Sequence, residues 1–142
     1  MTTTVRDILR DKPDVYIVRP DDTVYSALQT MAEKNIGAVL VMEGDDLAGI
    51  FSERDYARRG ILHGHSSRDT AVRTIMTTEV VSISPSMTVD DCMALMTDRR
   101  IRHLPVVDSD RVVGIVSIGD VVRAVVEEQR FTIRSLENYV TS

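Results

Sequence analysis

Ser52 with Asp55, and again Ser117 with Asp120, are the residues whose types and spacing point most directly to chemistry. They close the motifs Gly49-Ile50-Phe51-Ser52-Glu53-Arg54-Asp55 and Gly114-Ile115-Val116-Ser117-Ile118-Gly119-Asp120, which lie 65 residues apart. In each, a short apolar run leads into serine, and aspartate follows three residues on. Such a junction ends a strand and starts a helix. Serine is a favoured N-cap, and a helix start exposes unpaired N–H groups that attract anions. An aspartate there can accept hydrogen bonds from sugar hydroxyls, as an acidic residue does in dinucleotide-binding folds. The glycine leaves room for a close-lying group or a tight packing contact. The pair reads as two related half-sites for a nucleotide. The same residues can also serve as helix caps alone, and the two roles are compatible. Neither serine has a neighbouring base, so the spacing does not suggest nucleophilic catalysis.

These motifs sit in a duplicated unit. The 65-residue offset holds without a gap over more than 40 positions, with Val15 on Val80, Pro20 on Pro85, Thr23 on Thr88 and Arg58 on Arg123. Upstream, Val5-Arg6-Asp7-Ile8-Leu9 matches Val72-Arg73-Thr74-Ile75-Met76 at an offset of 67. The fold class is α+β, each unit reading strand, helix, strand, strand, helix. Residues 4–11 and 71–77 read as lead-in helices, and 15–18 and 80–83 as β-branched strands. Thr23 and Thr88 stand at N-cap positions, and Asp91 after Thr88 makes a capping-box-like pattern. Val24, Ala27, Leu28 and Met31, and in the second copy Val89, Cys92, Met93 and Met96, form the apolar stripe of a half-buried helix. Ala38–Met42 and Leu104–Val107 suggest strands covered on both faces. Turn-rich segments join them to the strands that run into the Ser-x-x-Asp junctions. The domain boundaries that follow are 1–62, a linker at 63–70, 71–128, and a helical tail at 129–142. In the tail, Phe131, Ile133, Leu136, Tyr139 and Val140 keep apolar spacing suited to packing on their own domain or on a second subunit.

At 142 residues, 43% hydrophobic and 27% charged, the chain can bury a core of ordinary domain size. Its net charge of −5 and lack of a basic block argue against a nucleic-acid partner. No apolar run approaches the roughly 20 residues that span a bilayer, and the first residues lack the apolar core of a secretory signal. The expectation is a cytoplasmic protein with no membrane partner. Cys92, the lone cysteine, excludes an internal disulfide and reads as a buried, inert thiol. His63-x-His65 in the linker lacks further ligands to complete a metal site.

The Pro-x-x-Thr-Val openings, the Ile-x-x-Leu-Pro-Val segment from Ile101 to Val106 and the paired Gly-Ile-x-Ser-x-x-Asp endings resemble the cystathionine-β-synthase (CBS) domain. Two in tandem resemble a Bateman module, from about Val5 to Val126, and the Ser117-to-Val126 run resembles small stand-alone members. The resemblance implies two pseudo-two-fold-related units forming a regulatory, non-catalytic module. Its clefts would bind AMP, ADP, ATP, NAD or S-adenosylmethionine, and the modules would pair as homodimers. It implies ribose contacts for Asp55 and Asp120, and phosphate-side contacts for Ser52 and Ser117. Arg102 and His103, with Pro105 in the same segment, stand where family members place groups facing phosphates. The first unit has Gly37-Ala38-Val39-Leu40 there, but carries Arg54 inside its ending motif where the second has Gly119. The clefts are therefore inequivalent, and the sequence leaves open which is occupied or whether NAD spans both. Arg102 and His103 can also be ordinary solvent-facing residues, and Arg54 a surface partner of Glu53 or Asp55.

The sequence is compatible with three functions to different degrees. The favoured one is a sensor of an adenine-containing molecule that signals to a separate effector protein. The second is an interaction scaffold with vestigial clefts, acting on a partner such as a thioredoxin. The third, an enzyme, is disfavoured: the chain has no nucleophile–base pair, no metal cluster, no Gly-x-Gly-x-x-Gly and no P-loop, and it implies no catalytic cofactor.

Overall fold

Thr23 and Thr88 start two matched helices, α2 (Val24–Lys34) and α5 (Val89–Arg99). Their hydroxyls accept hydrogen bonds from the N–H groups of Ser26 and Asp91, each at 3.1 Å, satisfying donors that a helix start leaves open. The computed structural model describes residues 2–12 and 14–141; Met1, Pro13 and Ser142 lie outside the described residues. α2 buries Val24, Ala27 and Met31, and α5 buries Val89, Cys92 and Met96, the stripe expected from the spacing. Each helix is followed by a hairpin. β2 (Ala38–Glu43) pairs antiparallel with β3 (Asp46–Ser52), and β4 (His103–Asp108) with β5 (Arg111–Ser117). Both hairpins shift register at the same place, after Val41 and after Val106.

The copies diverge at the strand before the helix. β1 (Ile17–Val18) runs parallel to β2, and the Leu40 N–H donates to the Tyr16 carbonyl at 3.4 Å. The strand expected at 80–83 is not formed; a single bridge, Ile83 to Val106, takes its place. Pro105 occupies the position of Leu40 and has no N–H to offer, so that rung is lost. The bonds on either side of the Ile83 peptide survive, from Ile83 N–H to the Pro105 carbonyl and from Val107 N–H to the Ile83 carbonyl.

The lead-in helices α1 (Val5–Arg10) and α4 (Val72–Ile75) form near the expected places, and each docks on the other repeat. Val5 and Arg6 donate to the carbonyls of Met87 and Pro85; Val72 and Arg73 donate to those of Asp22 and Pro20. The chain accordingly folds as two compact units, Val15–Val81 and Met1–Asp14 with Ser82–Ser142. In the first of these, Val18, Met31, Val39, Val41, Phe51, Val72 and Ile75 share one core. The motif glycines make the docking possible. A Cβ on Gly49 would lie 2.5 Å from the Thr77 carbonyl oxygen, and one on Gly114 would lie 2.7 Å from a Leu9 methyl. Of the two roles open to these glycines, tight packing is the one realised.

The closing helices also differ. Ser52 caps a short turn, α3 (Glu53–Asp55), which widens into a π-helical turn at Tyr56–Gly60 and a 3₁₀ turn at Ile61–His63. After Ser117, α6 runs unbroken from Ile118 to Thr141. Its inner face buries Val121 and Ala124, while much of its length projects apolar side chains outward.

Candidate functional site: two serine–aspartate corners

Each Ser-x-x-Asp motif folds into a reciprocal cap, because serine and aspartate three residues apart can each reach the other's backbone N–H. At the first corner, Ser52 N–H donates to Asp55 Oδ2 at 3.0 Å and Asp55 N–H donates to Ser52 Oγ at 3.1 Å. The Ser52 hydroxyl donates to the same carboxylate oxygen at 3.0 Å. At the second corner, the Ser117 N–H to Asp120 Oδ2 bond is 2.9 Å and the Asp120 N–H to Ser117 Oγ bond is 3.1 Å. The helix-cap role is therefore present in both copies.

What reaches the outer side of each carboxylate comes from the docked lead-in segment. Thr77 exchanges two backbone hydrogen bonds with Ile50, and its hydroxyl donates to Asp55 Oδ1 at 2.9 Å. In the other unit Lys12 takes over this place. Its Nζ donates to the Ile115 carbonyl at 3.2 Å and to Asp120 Oδ2 at 2.6 Å. Arg123, one turn along α6, donates to Asp120 Oδ1 at 2.7 Å. One corner is thus held by a neutral hydroxyl and the other by two cations. The Asp120 side chain is only 10% exposed. Burial pushes its carboxyl upward, but the Lys12 hydrogen bond and charge and the Ser117 N–H outweigh this and leave it below the usual range.

Asp120 faces a cavity of about 450 Å³ between α1 and α6. Its lining carries five carboxylates, among them Asp7, Asp120 and Glu128, against the two cations Lys12 and Arg123. Glu128 Oε2 is buried with no hydrogen-bond partner among the described residues. A buried acceptor in that state is costly. Each aspartate already receives three hydrogen bonds, whereas a carboxylate offers about four lone-pair positions. A ribose hydroxyl can take the remaining position or displace the lead-in donor.

A family model of the CBS domain matches residues 4–61 and 72–127. The chain belongs to the CBS-domain family. The CBS domain-containing protein CBSX3, mitochondrial, of Arabidopsis thaliana is 43% identical over 149 residues, covering 98% of this chain and 72% of the relative. A protein with CBS domains from Burkholderia ambifaria MC40-6 superposes with a TM-score of 0.85 at 51% identity, covering 89% of this chain and 96% of that one. The CBS domain pair of MJ0100, in complex with 5′-methylthioadenosine and S-adenosyl-L-methionine, has a TM-score of 0.78 at 26% identity, covering 90% and 99%. CBS-domain pairs are in general regulatory, ligand-binding modules, and this chain is such a pair.

The other singled-out residues fall around the corners. His103 opens β4, half-buried, directly opposite Ser117 in the hairpin register. Arg102 is exposed, and its carbonyl accepts the Ile118 N–H at 2.8 Å, tying β4 to the start of α6. Pro105 is buried and shapes the backbone. Arg54 is exposed, and among the described residues no ion pair joins it to Glu53 or Asp55. Reading each repeat as self-contained passes over Lys12 and Thr77. Arg123 stands out in sequence only as the repeat partner of Arg58.

Proposed function

We propose that this CBS-domain pair is a non-catalytic regulatory module that binds an adenosine-containing molecule beside Asp120. Ligand would shift the packing of a cytoplasmic homodimer, which a separate effector protein reads. The observation that carries the proposal is the buried Ser117–Asp120 corner facing a cavity of about 450 Å³ between α1 and α6. The ribose hydroxyls would bond Asp120, with Ser117 alongside and Arg102 and His103 at the start of β4. The Ser52, Arg54 and Asp55 corner, closed by Thr77, would form a separate, inequivalent site in its own unit.

The acidic lining ranks the candidates. Five carboxylates against two cations repel a triphosphate more than a monophosphate, and attract a tail bearing an ammonium group. S-Adenosylmethionine therefore ranks first, AMP next, and ADP, NAD and ATP lower. The ligands of the MJ0100 pair support this order. The effect of a ligand comes only from its different affinity for the two states of the module.

Isothermal titration with S-adenosylmethionine, 5′-methylthioadenosine, AMP, NAD and ATP tests the reading. Tighter binding of S-adenosylmethionine than of AMP, and of AMP than of NAD or ATP, weakened roughly 10- to 100-fold in Asp120→Ala, is the expected result. A second reading, a scaffold with vestigial clefts that modulates a protein such as a thioredoxin, draws support from the three donors already on each aspartate. It requires partner binding to be unaffected by Asp55→Ala and Asp120→Ala.

A further inference from the structure

Lys12 stands in the way of the bond that a ribose would make to Asp120. A ribose presents two neighbouring hydroxyls, and a carboxylate receives both as a fork when each of its oxygens has a lone pair open. Asp120 does not meet that condition. Its Oδ2 accepts the Ser117 N–H at 2.9 Å and the Lys12 ammonium at 2.6 Å, which uses both positions on that oxygen. Its Oδ1 accepts from Arg123 at 2.7 Å and, among the described residues, keeps one position open. One hydroxyl is therefore received without rearrangement, and a pair is not.

Only one of the three donors can make way for a fork. The Ser117 N–H belongs to the reciprocal cap that starts α6, and losing it would leave the helix start unpaired. Arg123 sits on the other oxygen, so its departure would force both hydroxyls onto a single atom. Lys12 remains. Its backbone is fixed, since the Lys12 N–H donates to the Leu9 carbonyl at 3.1 Å, but its four-carbon stem is flexible. Nζ has a second acceptor in the Ile115 carbonyl at 3.2 Å, and Asp11 and Glu127 line the same cavity. A released ammonium is therefore not stranded without a partner, the state that makes removal of one member of an ion pair costly. We propose that Lys12 is a built-in competitor for the ribose diol: it leaves Asp120 when an adenosine-containing molecule binds, and it sets how strongly the site prefers ribose to deoxyribose. This rests on the ligand reading above and names the residue that limits it. At the first corner the corresponding donor is the Thr77 hydroxyl, which carries no charge to relocate.

Isothermal titration of the full chain with 5′-methylthioadenosine and its 2′-deoxy analogue tests this. Neither probe has a charged tail, so a tail contact with Lys12 does not enter. Lys12→Met keeps the apolar stem and removes the competing charge. It should bind 5′-methylthioadenosine roughly tenfold more tightly than the wild type does, and bind the deoxy analogue with unchanged affinity. The preference for ribose thus rises in the variant, and Lys12→Arg, which restores a cation, returns it toward the wild-type value. Circular dichroism checks that both variants are folded. A second readout needs only the wild type. In nitrogen NMR of the lysine ammonium groups, the Lys12 signal should shift on saturation with 5′-methylthioadenosine and stay in place with the deoxy analogue. A ribose preference unchanged by Lys12→Met, weaker binding of both probes in that variant, or a Lys12 signal unmoved at saturation overturns the inference and leaves the ligand site standing. Binding of 5′-methylthioadenosine by Lys12→Met but not by the wild type supports it. No binding of either probe by either protein at millimolar concentration overturns the inference and the ligand reading together.

Discussion

Asp120 is the residue on which charge, burial and position converge. Its carboxyl titrates below the ordinary 3.8 in the folded chain, so its contribution is fully present above about pH 5 and is lost as pH falls through the folded value. Urea midpoints taken from pH 7 to pH 3 should therefore fall more steeply for the wild type than for Asp120→Asn. At pH 7 the same substitution leaves Lys12 without its ionic partner and is expected to destabilise the fold. The motif glycines make a second expectation. Gly49→Ala drives a methyl into a backbone carbonyl, and Gly114→Ala into the end of a leucine side chain that can turn aside. Overpacking costs about 1–3 kcal/mol, and Gly49→Ala should lie at the upper end, which thermal melts of the two variants will compare. Cys92 is buried, and burial raises its thiol to about 11. Iodoacetamide at pH 8 should leave it unmodified in the native chain and label it after unfolding.

At the scale of elements, composition and spacing were informative wherever one face of one element decides the outcome. The stripes of α2 and α5 and their threonine caps follow from the local pattern, as do the hairpins and the serine-led helix starts. The 80–83 strand did not follow, because its existence depends on a donor at Pro105, 20 or more residues away. β-branched residues propose a strand, and the neighbouring strand disposes. Pro105→Leu, which restores the residue type found at Leu40, should extend the ladder. Hydrogen exchange would then show a protected amide at position 105, and an unprotected one would contradict the explanation. The site follows the same rule. Ser52, Asp55, Ser117 and Asp120 stood out because their partners are three residues distant. Lys12 and Thr77 did not, because what places them beside the aspartates is long-range docking, which no local spacing encodes.

For the molecule as a whole, the consequence is that a sequence repeat and a compact unit are cut differently. The repeat at 1–62 includes α1, which docks on the second repeat, and omits α4 and Thr77, which complete the first. A fragment spanning 15–81 should therefore show cooperative unfolding, while a fragment spanning 1–62 should not, lacking the Val72 and Ile75 side chains of its core. Calorimetry on the two fragments decides this. Deleting residues 2–12 should likewise loosen the half that contains α5 and α6. Among the described residues no helix is long and apolar enough to cross a membrane.

The measurement that bears most directly on the proposed function is isothermal titration of S-adenosylmethionine and AMP into the wild type and Asp120→Ala. Hydrogen bonds to a charged group contribute about 1.5–3 kcal/mol, so binding should be present in the wild type and weaker by roughly 10- to 100-fold in the variant. No heat from any adenosine compound at millimolar concentration, or equal affinity in the two proteins, would contradict a ligand site built on Asp120.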